Sequence, residues 1–324
     1  MKLKNLLASM GLVCTAVLPS LSHAQDYPSR AIQFIVPSSA GTTGDQLARV
    51  LGPKLSQRWN VPVVVENKVG AGGAIGIEAA AKANPDGYTF LFSATAFSTL
   101  AALRPKLPYD PIKDFSPVVL MGTSPLVLVV TNSLPAKNVR ELIDHVKKQP
   151  PGRLNYASPG IGGVQHLTME LFKQETGIYL THIPYKAMSG ALNDLAAGHV
   201  EVGFVVLQTA APLVQSGKMR MLAVAAAERA SQFPQVPTLA EAGLKNMVVE
   251  AWFGVTAPAG TPPAVISKMN SEINSLLALP EVKESMAKMG VDPAGGKPEK
   301  LNALVRSEIK MWTQVVKTGN IVAE

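Results

Sequence analysis

"AIQFIVPSSAGTTGDQLARVLGPKLSQRWNVPVVVEN", residues 31–67, contains the first unit of the fold. "AIQFIVP" is a short apolar, β-branched run and reads as a strand. "GDQLARVLGPKLSQRW" places Leu47, Val50, Leu51 and Leu55 at helical spacing, and "VPVVVEN" is a second strand. The same alternation continues outward. "IGIEAAAKA" (75–83) reads as a helix, "YTFLFSA" (88–94) and "FSPVVLMG" (115–122) as strands. After residue 125 the rhythm restarts with "PLVLVVTN", a helix at "NVRELIDHVKKQ", then "LNYAS", "VQHLTMELFKQETG", "LTHIPYK", "ALNDLAAG", "VEVGFVV" and "MRMLAVAA". "FPQVPTLAEAG" is a proline-punctuated surface segment, "EAWFGVTAPAGTPPAVISKMNSEINSLL" a strand and long helix, and "PEKLNALVRSEIKMWTQVVK" an amphipathic helix. Alternating strands and helices predict an α/β chain with mainly parallel sheets flanked by helices. Two such units with a returning C-terminal part predict two lobes around a cleft that closes by hinge motion. The divisions expected are 1–24 as a signal peptide, 25–124 as the first lobe, 125–227 as the second, and 228–324 as the crossover and return.

The N-terminus points to export. Lys2 and Lys4 precede a mostly apolar run from Leu6 to Leu21, and Ser22-His23-Ala24 offers a cleavage site before Gln25. No later segment approaches the ~18 apolar residues of a spanning helix. The single cysteine, Cys14, lies in this segment, so the remaining 300 residues contain none. That excludes disulfides, thiol chemistry and cysteine metal sites from the exported chain, which must rely on a large core. A periplasmic location is expected. The net charge of +7 becomes 28 − 23 = +5 without Lys2 and Lys4. Its basic residues are scattered rather than clustered, which argues against nucleic acid and fits attraction of small anions.

Several strand exits carry hydroxyls and glycines ahead of a helix. "VPSSAGTTGDQLAR" offers Ser38, Ser39, Thr42 and Thr43, with Gly41 and Gly44 to turn backbone amides toward a ligand. A helix N-terminus carries partial positive charge suited to a carboxylate; ordinary helix capping explains the same residues. "FSATAFST" (92–99) presents Ser93, Thr95 and Ser98, and "NYASPGIGGVQHLTMELF" (155–172) presents Ser158 and Gly160 to Gly163. The glycines of "NKVGAGGAIGIEAA" (67–80) do not complete a dinucleotide motif, because Ile75 stands where the third would fall. Ser158, His166 and Asp194 suggest a triad only on paper, as no G-x-S-x-G elbow is present. His145, His182 and His199 sit singly, without metal-site spacing. Neither a metal nor a cofactor is expected.

In order, "YPSRAIQFIVP", "VVVENKVGAGGAIGIEAAAKANPDGYTFLF", "KLPYDPIKDFSPV", "LNYASPGIGGVQHLTMELF", "THIPYKAMSGALNDLAAGHVEVGF", "FPQVPTLAEAG" and "AWFGVTAPAGTPPAVISKMN" span nearly the whole chain after residue 24. Together they resemble the substrate-binding receptors of tripartite tricarboxylate transporters, the Bug receptors. The resemblance implies a two-lobed Venus-flytrap fold and a small organic carboxylate in the cleft. It also implies delivery of the ligand to a permease of one large and one small integral membrane subunit; the receptor itself is expected to be a monomer. By the same resemblance, second-lobe loops at Ser158 to Gly162 and Tyr185 to Ser189 pinch one carboxylate, involving Ser158, Gly160, Gly162, Tyr185, Lys186 and Ala187. First-lobe contacts are implied at Ser38, Ser39, Ala40, Gly41 and Thr42, and at Ser93, Ala94, Thr95 and Ala96. Two departures stand out. "PSSAGTTGD" replaces a common "PFxPGGxxD", and Val205-Val206 follows "VEVGF" where many members carry aspartate, so that Val205 is expected among the ligand contacts. The missing acid disfavours an amino acid and favours an apolar, even aromatic, carboxylate. A sensor subunit for a membrane signalling protein and an exported hydrolase using Ser158 stand as alternatives.

Overall fold

The computed structural model describes residues 27–322; the signal segment expected before Gln25 lies outside the described residues. Strands β1 (Ile32–Val36) and β2 (Val63–Asn67) pair in parallel across helix α1 (Thr43–Trp59), with Ile32 opposite Val63. After β2, Gly70, Gly72 and Gly73 all take positive φ and fold a tight turn into α2 (Ala74–Ala81). Strand β3 (Thr89–Ala94) lies on the other side of β1 and leads directly into α3 (Ala96–Leu103).

The two apolar runs expected as separate strands form one. β4 (Phe115–Thr131) is 17 residues long and passes from one half of the molecule into the other. Its first part pairs antiparallel with β9 (Glu250–Pro258), with register shifts at Pro117/Val119 and Leu120/Gly122. Its second part pairs with β7 (Val202–Val206) and β8 (Met219–Val224). Gly122 is held to glycine by packing: a Cβ there would lie 2.6 Å from the Asp292 carbonyl oxygen.

The second half follows the expected alternation. It runs α4 (Val139–Lys147), β5 (Asn155–Ser158), α5 (Val164–Thr176), β6 (Thr181–Pro184), α6 (Met188–Ala197), β7, α7 (Leu207–Gln215) and β8. α7 is an addition to the expected elements: it contains Pro212, and it buries Leu207, Ala210 and Ala211 at helical spacing. The C-terminal part is β9, α8 (Pro263–Leu277), α9 (Pro280–Lys288), the short β10 (Asp292–Pro293) and α10 (Pro298–Gly319). The strand order is β2-β1-β3-β9-β4-β7-β5-β6, with β10 and β8 also on β4.

Side chains on successive strand positions face opposite ways, so each half-sheet has a core on both faces. Ile32, Phe34 and Val36 pack in one cluster with α1 and α8, while Ile35 packs in another with α2 and α3. Likewise Leu126, Leu128 and Val130 join α4 and α5, whereas Val127 and Val129 face α6 and α7. The chain after residue 228 does not leave the second lobe at once. Phe233, Val236, Leu239, Met247 and Val249 pack in its clusters before β9 re-enters the first sheet. α10 then spans both lobes: Leu301 and Val305 pack in the first, Trp312 and Val315 in the second. Trp312 is fully buried, and removing such a ring costs about 3–5 kcal/mol. Among the described residues no helix is long and apolar enough to cross a membrane.

Candidate functional site

Five helices, α1, α3, α5, α6 and α7, begin directly or across a short loop after the carboxyl end of a strand, where ligands of such sheets sit. None receives a hydrogen bond from its N-cap side chain at Thr42, Thr95, Gly163, Ala187 or Val206. α2, behind Gly73, likewise receives no side-chain cap, while at the remaining helices some of the orphan amides are dealt with. Asn138 caps α4 through the Glu141 amide, and α8, α9 and α10 carry proline in the first turn, which removes a donor. The strand-exit helices therefore retain N–H groups and positive dipole ends for an anion.

The β1–α1 loop is organised by Asp45, which is 2% exposed. Its carboxylate accepts the Gly41 amide at 2.8 Å, the Asn67 side-chain amide at 2.9 Å and Arg49 Nε at 3.0 Å from both oxygens. Burial alone would raise its pKa, but these donors together lower it. The Thr42 hydroxyl donates to the Ser39 carbonyl at 2.8 Å and lies 2.8 Å from Ser38 Oγ. In the β3–α3 turn the Thr95 hydroxyl oxygen accepts the Trp252 amide at 2.9 Å, and Ser93 Oγ is buried without a partner among the described residues.

In the second lobe Ser158 is fully buried. Its Oγ lies 2.9 Å from the Gly160 carbonyl, to which it donates, and 2.6 Å from His182 Nε2. The Tyr185 amide donates to the Ser158 carbonyl at 2.9 Å, joining the two expected pinching loops. The Tyr185 hydroxyl donates to Asp194 at 2.6 Å. Burial, then Asp194, pushes that phenol up to about 12.

Two adjoining cavities lie between these turns. One, of about 270 Å³, is lined by Ser38, Thr42, Thr43, Ala94 and Ala96 and by the apolar Ile77, Phe92, Phe97 and Phe253. The other, of about 350 Å³, lies between α3 and the β5–α5 turn, against Ala96, Leu103, Arg104 and Pro159 to Gly163. Gly72 and Ala96 line both. The lobes touch here, since a Cβ on Gly162 would fall 2.3 Å from Leu103 Cδ1.

Of the expected residues, Ser38, Thr42, Ala94, Ala96, Gly160 and Gly162 line this space. Ser39, Ala40 and Gly41 lie exposed at the loop tip, and Lys186 and Ala187 are exposed beside α6. Ser93, Thr95, Ser158 and Tyr185 are not among the lining residues. Val205 is not brought to it: the strand alternation turns Val205, 1% exposed, into the core against α6 and α7. Its neighbour Val206, partly exposed, caps α7. Sequence reading also missed Arg104, at the C-cap of α3. It is the one charged side chain lining either cavity, and among the described residues it has no ion-pair or hydrogen-bond partner given by the structure. Nothing in its local sequence marks it. Only the packing of α3 against the other lobe does.

A larger cavity of about 440 Å³ opens at the hinge, between Pro125, Leu207, Gly290 and the Ala226–Gln232 loop. Glu228, Glu250 and Asp292 line it, while its one guanidinium, Arg229, is paired with Glu241 at 2.8 Å. That surface repels an anion. The triad is not assembled either, because Ser158 contacts His182 rather than His166, and Asp194 is engaged by Tyr185 and His199.

The model of the tripartite tricarboxylate transporter family receptor matches residues 47–321. This chain belongs to that family. It is 37% identical over 320 residues to the protein BugT of Bordetella pertussis, covering 98% of each. Among solved structures it is similar to R. palustris Rpa4515 with adipate, at 35% identity and TM-score 0.78, covering 92% of this chain and 99% of that one. MatC from Rhodopseudomonas palustris with bound malate is 32% identical, with TM-score 0.75, covering 90% of this chain and 100% of that one. The receptor is thus a two-lobed solute-binding protein and not an enzyme.

Proposed function

We propose that this receptor captures a small organic carboxylate in the periplasm and delivers it, as a monomer, to a permease of one large and one small integral membrane subunit. The observation that carries this reading is the meeting of strand-exit turns from both lobes at adjoining cavities. Uncapped helix amides and Arg104 stand there, and among the described residues no carboxylate lines the space. Amides and a guanidinium around a carboxylate make charge-assisted hydrogen bonds, roughly twice as strong as neutral ones. A micromolar complex needs about −8 kcal/mol, within reach of several such bonds and the desolvation of a closed cleft. The wall of Ile77, Phe92, Phe97 and Phe253 favours an acid with an apolar body, aliphatic or aromatic, over a compact polyacid. The acids named with the adipate and malate complexes support the carboxylate class.

Thermal unfolding with adipate, malate, benzoate and a wider acid panel tests the reading. A ligand at 1,000 times its Kd stabilises by about 4 kcal/mol. Arg104→Gln should weaken the best acid by about tenfold, as for one charge-assisted hydrogen bond. No shift with any carboxylate would remove the proposal.

A further inference from the structure

We propose that His166 and His182 are positioning residues that set the β5–α5 turn for the bound acid, His166 by holding the Gly162 amide and His182 by holding the Ser158 hydroxyl. The inference rests on reading the interlobe cavity as the acid site, and it assigns a task to two imidazoles that never touch the cavity.

The turn needs such support. From Pro159 to Gly162 the chain belongs to no helix or strand, and Gly160 and Gly162 stand at φ +127° and +80°. Regular backbone pairing resumes only at the Ser158 carbonyl on one side and the Gly163 carbonyl on the other. Between them, the polar groups fixed by side chains are those held by Ser158 and His166. The Gly162 N–H donates to His166 Nδ1 at 3.0 Å, which places the imidazole proton on Nε2. Ser158 Oγ lies 2.6 Å from His182 Nε2 and 2.9 Å from the Gly160 carbonyl. These contacts fix both limbs of the turn. They leave the amides of Ile161, Gly163, Val164 and Gln165 without an acceptor among the described residues.

The imidazoles are themselves held. Their rings stack with centroids 4.1 Å apart and 20° between planes, and Tyr156 stacks on His182 at 4.8 Å. Glu170 accepts from the Tyr156 hydroxyl and from Lys173 at 2.7 Å, and lies 4.0 Å from His166 Nε2. Burial first, and for His166 its neighbour His182 next, lowers both imidazoles to about 4. At neutral pH both are uncharged: His166 accepts through Nδ1, and His182 donates through Nε2 to Ser158 Oγ, whose own proton goes to the Gly160 carbonyl. The groups facing them are each other, Tyr156, Glu170 and Lys173.

A positioning role and a packing role predict opposite mutant rankings. His166→Asn keeps an acceptor for the Gly162 amide and deletes the ring; His166→Phe keeps the ring stack and deletes the acceptor. Binding of adipate, malate and benzoate is measured by calorimetry on the full chain, with hydrogen exchange at the Gly162 amide. The expected result is that H166N binds the preferred acid within about threefold of wild type with the amide protected, while H166F loses about tenfold or more with the amide exchanging freely. If H166F does not fold, H166N decides alone: a folded H166N that has lost tenfold overturns the proposal. The reverse ranking, with H166F intact and H166N weakened, overturns it as well, while leaving the acid-site reading in place. A wild type that binds none of the three acids removes the acid-site reading, and this proposal with it.

Discussion

Replacing Glu308 by glutamine should change how the receptor's stability depends on pH. Glu308 lies on α10 between the two lobes, is 5% exposed, and accepts hydrogen bonds from the Ser98 hydroxyl and from Trp252 Nε1 at 2.7 Å. Burial raises its pKa from 4.5 to about 7, with the Ser98 and Trp252 donors working against that rise. The folded state therefore holds the proton more tightly than the unfolded state. Its stabilising contribution is complete below pH 4.5 and is lost as pH rises through 7. A shift of that size corresponds to roughly 3 kcal/mol. Glutamine retains an acceptor and cannot ionise. Urea unfolding of both proteins at pH 5, 6, 7 and 8, followed by tryptophan fluorescence, isolates the effect. The stability of E308Q relative to wild type should increase by about 2–3 kcal/mol from pH 5 to pH 8. A difference that stays constant within about 0.5 kcal/mol over that range would refute the reasoning. The result bears on the cleft, because Ser98 and Trp252 support the β3–α3 turn.

Two further outcomes follow from the same geometry. Gly162→Ala places a Cβ 2.3 Å from Leu103 Cδ1 at φ +80°. The left-handed backbone costs about 1–2 kcal/mol, so acid affinity should fall about tenfold. Adding Leu103→Ala should restore only the part due to the clash; full recovery by calorimetry would show that the backbone conformation carries no cost. For His166 and His182, whose folded values of about 4 lie below 6.5, the unfolded chain takes up protons first. Their stabilising contribution is present above pH 6.5 and is lost toward pH 4, by about 2–3 kcal/mol for the buried His166. The variant H166N/H182N should show a flatter acid limb in urea titrations, and an unchanged limb would exclude neutral imidazoles at these positions.

The alternation of β-branched runs and helical spacing is local, so the sequence by itself determined the α/β class, the two-unit rhythm and the turns at Ser38, Ala94 and Gly160. Those turns follow strands and precede helices, and in an α/β sheet that places them at the ligand edge. The ordered motifs were also enough to identify the family. Tertiary structure decided what each polar group does. Ser158 looked like a free donor, but His182, 24 residues away, engages its hydroxyl. Asp45 turns the Gly41 amide inward through contacts that reach Asn67. Val205 and Val206 are adjacent letters, and only the alternation of a paired strand sends them to the cores on opposite faces of the sheet. Arg104 carries no local signal, and becomes a site residue because α3 packs opposite the β5–α5 turn. Periodicity records which face of an element is apolar; the partner of a buried donor depends on chain segments far apart, and only the assembled fold brings them within hydrogen-bonding distance.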